Sequence, residues 1–312
     1  MSFFKEIISP NMNASLESWK AMGVELSVKR EDLLHKEVSG NKFRKLKYNI
    51  AEAIKKGNEG ILTFGGAYSN HIAAAASAAY HSGLKSVGII RGDELGEDLE
   101  KTLENNPTLK FASDHGMEFQ FLTRSKYREK EQTEFLAALQ SQFENYAIVP
   151  EGGTNALAVK GCEEILSDSD QDYDVICVAN GTGGTISGLI NASWEHQKVL
   201  GFPALKGGDF LKPIIESYTR NDRWDLITDF HFGGYAKYNE NLITFINNFK
   251  SETGIPLDPI YTGKMVYGLD QMIRDSYFPR GTKVLVIHTG GLQGIEGFNE
   301  LLKKKGHKLI AL

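Results

Sequence analysis

Val175-Ile176-Cys177-Val178-Ala179-Asn180-Gly181-Thr182-Gly183-Gly184-Thr185-Ile186-Ser187-Gly188 passes from an unbroken apolar run, through a glycine-threonine loop, into a segment of helical character. A short apolar run bounded by turn residues reads as a strand buried on both faces. A strand, a glycine loop and a helix in succession form the arrangement in which main-chain N–H groups and threonine hydroxyls cradle phosphate. Gly181 and Gly183 begin a dinucleotide fingerprint, but Ile186 stands where its third glycine belongs, and there is no Walker lysine. A monophosphate is the better guest. The alternative is a tight turn without a ligand, which would hold a run of glycines and threonines at an entropic cost with no return.

Working outward, similar apolar runs recur at Val24-Val28, Gly60-Phe64, Ser86-Ile90, Glu118-Leu122, Ala147-Pro150 and Lys283-His288. Helical periodicity fills the gaps between them. It predicts a helix over 41–56, with Phe43, Leu46, Ile50 and Ile54 on one face, and another over 125–143 with a charged opposite face. Strands alternating with helices predict an α/β fold with mostly parallel, twisted sheets joined by crossover helices. The turn-rich segments Gly40-Asn41 and Glu151-Gly152-Gly153-Thr154-Asn155 bracket four strand-helix units. The expected organisation is therefore a larger domain of residues 1–47 plus 151–312 and a small inserted α/β domain of 48–150.

A chain of 312 residues with 41% hydrophobic and 24% charged residues and a formal net charge of -5 is long enough for two domains and of ordinary globular composition. The weak acidity, with no Lys/Arg-rich block, argues against nucleic acid as a partner. The most apolar stretch, Ile72 to Tyr80, is far too short for a membrane span and reads as a packed helix. Met1 to Trp19 has neither secretory nor transit-peptide character, so the expected location is the cytoplasm. Cys162 and Cys177 are expected to be small core residues. The eight histidines are scattered, with no H-x-x-x-H or His-Cys grouping, so no metal site is expected.

Four further clusters can carry chemistry. Lys29-Arg30-Glu31-Asp32 is followed by Ser39-Gly40-Asn41-Lys42-Phe43-Arg44-Lys45, which puts Lys42 at the opening of a helix. The positive potential of a helix N-terminus helps keep an amine neutral, and a lysine there suits Schiff-base chemistry; otherwise Lys42, Arg44, Lys45 and Lys47 are a solvated helix face. Phe64-Gly65-Gly66-Ala67-Tyr68-Ser69-Asn70-His71 leads from a strand into the alanine-rich helix. Here Ser69 and Asn70 either hold a carboxylate or simply cap the helix, with His71 beside them. Leu257-Asp258-Pro259-Ile260-Tyr261-Thr262-Gly263-Lys264 and His288-Thr289-Gly290-Gly291 put polar side chains at the C-terminal ends of strands, where open α/β sheets bind ligands.

With these clusters in this order, nearly the whole chain resembles the pyridoxal-phosphate-dependent family of D-cysteine desulfhydrases and 1-aminocyclopropane-1-carboxylate (ACC) deaminases, which has the two-domain fold of the tryptophan synthase β subunit. The matching stretches are Lys29-Asp32, Gly40-Leu46, Ser69-His71, Gly181-Thr185, Asp258-Lys264 and His288-Gly291. Ser39 departs from the family, which commonly has a second glycine there; serine suits the same turn. The resemblance implies that Lys42 carries pyridoxal phosphate as a Schiff base and that Asn70 bonds its ring hydroxyl. By the same likeness Gly181, Thr182, Gly183, Gly184 and Thr185 bind its phosphate, and Thr262 and Thr289 complete the cofactor site. Ser69, Asn70 and His71 would line the substrate pocket, Ser69 holding a carboxylate or relaying a proton. Tyr261 would be an acid-base group, and Tyr235 a further pocket residue.

The implied partner is a small amino acid, and members of the fold are commonly homodimers. The expected reaction is β-elimination from a small D-amino acid, D-cysteine in the first place, with Lys42 removing the α-proton and Tyr261 or Ser69 assisting the leaving thiol. ACC has no α-proton, and its opening needs a ring nitrogen kept protonated. ACC deaminases have a glutamate where this chain has Thr262, and a neutral hydroxyl cannot stabilise that charge. ACC deamination is therefore the alternative, alongside an L-serine or L-threonine dehydratase of the same fold.

Overall fold

The computed structural model describes Phe3, Phe4 and residues 7–311. Ten strands occur among the described residues: β1 (Asn11–Asn13), β2 (Glu25–Lys29), β3 (Gly60–Gly66), β4 (Lys85–Arg91), β5 (Met117–Leu122), β6 (Tyr146–Val149), β7 (Val175–Asn180), β8 (Lys198–Pro203), β9 (Trp224–Leu226) and β10 (Lys283–Ile287). They form a six-stranded sheet of order β1-β2-β10-β7-β8-β9 and a four-stranded sheet of order β5-β4-β3-β6. Every pairing is parallel except that of β1 with β2. All seven strands read from the sequence are present, and the fold class is mixed α/β with mostly parallel sheets.

The chain divides into two compact units. The unit containing the four-stranded sheet comprises Lys42–Gly161 and His35–Val38 with Phe3 and Phe4; the other comprises Ile7–Leu34, Ser39–Asn41 and the described residues from Cys162 onward. The first is wider than the 48–150 drawn from the sequence, because helix Asn41–Lys55 is tied into it. Lys45 Nζ donates to Gly152 O and Thr154 Oγ1 at 3.0 Å each, and Asn155 Nδ2 donates to Asn49 Oδ1 at 2.7 Å. Along that helix Phe43, Leu46 and Ile50 are buried as expected. Ile54 is 41% exposed, and Ala53 is the buried residue of that turn.

In the larger unit both faces of the sheet are covered, which explains why its strands read as continuous apolar runs. Cys177, Leu200, Val284 and Val286 point into one core, with Trp19, Phe249 and Met265. Their neighbours Ile176, Val178, Val199, Leu285 and Ile287 point into another, with Leu189 and Ile215. Both cysteines are buried and unbridged, and burial pushes the Cys177 thiol well above its ordinary range. Ile72 to Ala79 are buried within helix Asn70–His81.

The helix expected over 125–143 is two helices, Arg124–Tyr127 and Thr133–Gln142. The first half turns to bury Tyr127, whose hydroxyl donates to Glu151 at 2.8 Å. The charged run Arg128-Glu129-Lys130-Glu131 offers no apolar side chain to carry the helix through. No described helix is long and apolar enough to cross a membrane.

Candidate active site

In the larger unit, segments far apart in sequence meet at the C-terminal ends of β7 and β10. β7 ends at Asn180, and the glycine loop leads into helix Gly184–Ala192. Its N-cap is Gly183 in the left-handed region, φ 84°, so no side chain caps the first amides of that helix. An uncapped helix N-terminus at the end of a parallel strand donates main-chain N–H groups to an anion. Thr185 is buried; its hydroxyl accepts from Asn41 Nδ2 at 2.8 Å and keeps a proton to donate. Asn180 is also buried, with no hydrogen-bond partner for Nδ2. The residues therefore fit a phosphate: a cradle without a capping side chain, with donors around it.

The turn after β10 closes on the same place. Asn41 N donates to Thr289 O at 3.3 Å. A Cβ added at Gly40 would sit 2.0 Å from Thr289 O, so this approach admits only glycine. His288 is wholly buried; Nδ1 accepts from Gly290 N at 3.2 Å and Nε2 lies 2.8 Å from Pro256 O. Since a carbonyl only accepts, Nε2 carries a proton, and the ring braces the 288–291 turn. Lys42 is the next residue along the chain from Asn41 and is half-buried.

Tyr261 approaches the glycine loop from the 258–262 turn. A Cβ added at Gly181 would lie 3.5 Å from Tyr261 Cε1 and 3.6 Å from its hydroxyl. Asp258 builds that turn: Oδ2 accepts from Ile260 N and Tyr261 N, and Oδ1 from Thr262 N, all at 2.8 Å. Thr262 Oγ1 donates to Asp258 Oδ1 at 2.6 Å and accepts from Asp258 N at 2.9 Å. With its one proton spent, the Thr262 hydroxyl can accept a further hydrogen bond but not donate one.

Tyr235 is half exposed, and its ring packs edge-on against Tyr261 at 6.1 Å. The loop that carries it hangs on Lys264, a buried lysine whose Nζ donates to His231 O at 2.9 Å and Gly234 O at 2.7 Å. Burial, partly opposed by the Asp258 carboxylate, lowers the Lys264 amine to about 8. The unfolded chain holds that proton up to about pH 10.5, whereas the native state releases it above about pH 8. Below pH 8 both states are protonated and the contribution is flat; between 8 and 10.5 it grows with pH. The unfolding free energy of the protein minus that of Lys264→Met is expected to rise across pH 8 to 10 in urea titrations. A difference independent of pH would contradict the burial argument.

In the smaller unit Ser69 caps helix Asn70–His81, and its Oγ accepts from His71 N at 3.2 Å and Ile72 N at 3.4 Å. With its lone pairs turned to the helix, the hydroxyl is a donor and not a base. Of the two readings of this cluster, the structure shows the cap. His71 is buried, with Nε2 2.8 Å from Thr63 Oγ1, whose own proton goes to Val149 O at 2.8 Å. The ring therefore donates from Nε2 and is neutral. Burial first, then the charges of Lys42 and Lys45, push its pKa well below the usual histidine range. Its Nδ1 is buried without a hydrogen-bond partner.

Two residues of the first cluster have structural duties. Lys29 is buried with Nζ 2.7 Å from Asp170 Oδ2, and Arg30 forks onto Asp32 at 2.8 and 2.7 Å. Sequence reasoning gave no role to Thr63, Asn180 or Lys264. The Asp258-to-Thr262 spacing was a legible capping pattern. Thr63 and His71 meet only because the strand, turn and helix fold back on themselves.

The family model described as "Pyridoxal-phosphate dependent enzyme" matches residues 10–290. The chain is 32% identical over 297 residues to the mitochondrial bifunctional D-cysteine desulfhydrase/1-aminocyclopropane-1-carboxylate deaminase of Arabidopsis thaliana, covering 88% of this chain and 74% of that one. It is 33% identical to a putative 1-aminocyclopropane-1-carboxylate deaminase of Thermotoga maritima, covering 88% and 90%, and 26% identical to a D-cysteine desulfhydrase of Klebsiella pneumoniae, covering 89% and 90%. Among solved structures an ACC deaminase homologue superposes with a TM-score of 0.79 at 27% identity, over 96% of this chain and 94% of that one.

Proposed function

Because this chain belongs to the family of pyridoxal-phosphate-dependent enzymes, we propose that it is a lyase acting by β-elimination on a small D-amino acid, D-cysteine before others, to give pyruvate, ammonia and sulfide. The observation that carries this reading is the uncapped glycine cradle at the end of β7, with the Tyr261 phenol alongside Gly181. The names of relatives that act on D-cysteine support the choice of substrate.

When bound, pyridoxal phosphate draws electrons from the α-carbon of an amino acid and makes its C–H acidic. Lys42 would hold the cofactor, and Gly181, Thr182, Gly183, Gly184 and Thr185 its phosphate, with Thr289 in the adjoining turn. Asn70 would bond its ring hydroxyl, and Thr262 would face its ring nitrogen. The Lys42 amine takes the α-proton. Ser69, as a donor, binds the substrate carboxylate, and Tyr261 gives a proton to the leaving thiolate, since a phenol near neutral pH has one to give. His71, neutral, would stand beside Ser69, and Tyr235, packed on Tyr261, would be a further pocket residue.

Relatives named as ACC deaminases favour a second reading, ring opening of ACC. Thr262 supports it less than a glutamate would: its acceptor-only hydroxyl can pair with a protonated ring nitrogen but adds no charge to hold that proton. The same proposal takes the enzyme to be a cytoplasmic homodimer. The test is pyruvate and sulfide release from D-cysteine by cofactor-loaded protein, with L-cysteine and ACC in parallel. Activity with D-cysteine alone is the expected result. Pyruvate from L-cysteine alone would make it an L-specific lyase, and 2-oxobutanoate from ACC would overturn the Thr262 argument.

A further inference from the structure

Outside these residues, the smaller unit brings together two histidines and a carboxylate that are far apart in sequence. His81 ends helix Asn70–His81, His115 follows helix Pro107–Asp114, and Glu37 lies in the segment His35–Val38. Glu37 Oε2 is 2.8 Å from His81 Nε2 and 3.3 Å from His115 Nε2. The three ligand atoms lie within 4.8 Å of one another. No metal was expected from the sequence, because no two histidines share a ligand spacing; the fold supplies the proximity that the spacing lacks.

The hydrogen bonds around the cluster orient it as a metal site would be oriented. His115 Nδ1 is 2.8 Å from Phe111 O. A carbonyl only accepts, so Nδ1 carries a proton, which leaves Nε2 to face Glu37 Oε2. That contact with the carboxylate is satisfied either by the proton of a charged imidazole or by a cation held between the two atoms. An imidazole whose second nitrogen donates to a backbone carbonyl is the usual outer support of a metal-binding histidine. Ser77 Oγ donates to Glu37 Oε2 at 2.8 Å, the matching outer support for the carboxylate. The rings are held in orientation by aromatic neighbours: Phe111 lies 4.2 Å from His115, and Phe3 stacks on His81 at 5.0 Å. His35 fixes the third segment, its Nδ1 accepting from Glu37 N and Val38 N at 3.1 Å each.

We propose that Glu37, His81 and His115 form a binding site for one divalent transition-metal ion of the zinc class, with Oε2, Nε2 and Nε2 as ligands and water completing the coordination. Two imidazoles and one carboxylate suit zinc; magnesium and calcium prefer all-oxygen sets. The side chains of His81 and Glu37 are about one-third exposed, 36% and 32%, so an ion can enter from solvent. Bound metal would fasten His35–Val38 to the ends of the two helices. That segment ends four residues before Lys42 in the chain.

The experiment is calorimetric titration of cofactor-loaded, chelator-treated protein with Zn²⁺, repeated with Co²⁺ to read the ligand set from its visible spectrum. One Zn²⁺ per chain is expected, with a Co²⁺ spectrum of mixed nitrogen and oxygen ligation. Glu37→Gln, which keeps the size of the side chain, and His115→Ala are each expected to weaken that binding by more than about tenfold. Ser77→Ala, which removes only an outer support, should weaken it by about tenfold. Far-UV circular dichroism confirms that the variants are folded. Absence of saturable Zn²⁺ binding, or binding unchanged in Glu37→Gln and His115→Ala, would overturn the assignment.

Discussion

Replacing Lys42 by alanine is expected to lower turnover of D-cysteine by about 10⁴-fold, the upper end of what a positioned base supplies, because the same amine also holds the cofactor. The neighbouring lysines do not compensate. Lys45 is buried and spends its ammonium on Gly152 O and Thr154 Oγ1. Lys47 lies over the Tyr48 ring, 5.3 Å from its centroid. Further off, Lys29 is locked to Asp170, and Lys264 donates to two carbonyls. The fold of Lys42→Ala should be unaffected, since Lys42 contributes no buried apolar side chain to the helix. Steady-state pyruvate assays with cofactor in excess, together with the visible spectrum, check this. Turnover within tenfold of the parent would remove Lys42 from the mechanism.

Gly40→Ala is expected to cost at least about 4 kcal/mol of stability, or else to move the backbone that positions Asn41. Gly40 has φ 65°, and the added methyl would lie 2.0 Å from Thr289 O, 2.4 Å from Thr289 C and 2.7 Å from Gly290 N. All three are main-chain atoms, so no side chain can turn aside to make room. Any shift breaks the bond from Asn41 N to Thr289 O and strains that from Asn41 Nδ2 to Thr185. Activity should therefore fall with stability. Gly57→Ala separates the two causes of strain: φ there is 73° but nothing lies within 4 Å of an added Cβ. It should cost only the left-handed penalty, about 1–2 kcal/mol. Urea unfolding of both variants is the check, and equal losses would show that the contact with Thr289 is unimportant.

The physical reasons for what the sequence revealed differ from element to element. β7 and its loop were legible because strand, glycine loop and helix succeed one another along the chain. β8 was not, because Gly201 breaks its apolar run. That glycine is needed by a tertiary neighbour, since a Cβ there would lie 2.2 Å from Asn180 Nδ2. β1 and β9 are three residues each, too short for any period to appear. The helix read over 125–143 fails at its charged middle, where burial of Tyr127 outweighs helical propensity.

Within the candidate site, the order of the clusters was visible and their hydrogen-bond directions were not. Ser69 caps its helix, one of the two readings that the sequence presents. His71 reads as a first-turn polar residue, yet it is buried against Thr63. The expected neutral hydroxyl at Thr262 is present, but its proton is already given to Asp258. The Glu37, His81 and His115 cluster lay outside any local pattern, because three separate segments bring its ligands together.

The most direct test of the account is borohydride reduction of the cofactor-loaded enzyme followed by peptide mapping. A single pyridoxyl group on Lys42, with loss of the visible band and of activity, is the predicted result. Label on Lys45, Lys47 or another lysine, or no reducible band at all, would contradict the assignment of Lys42 on which the proposed chemistry rests.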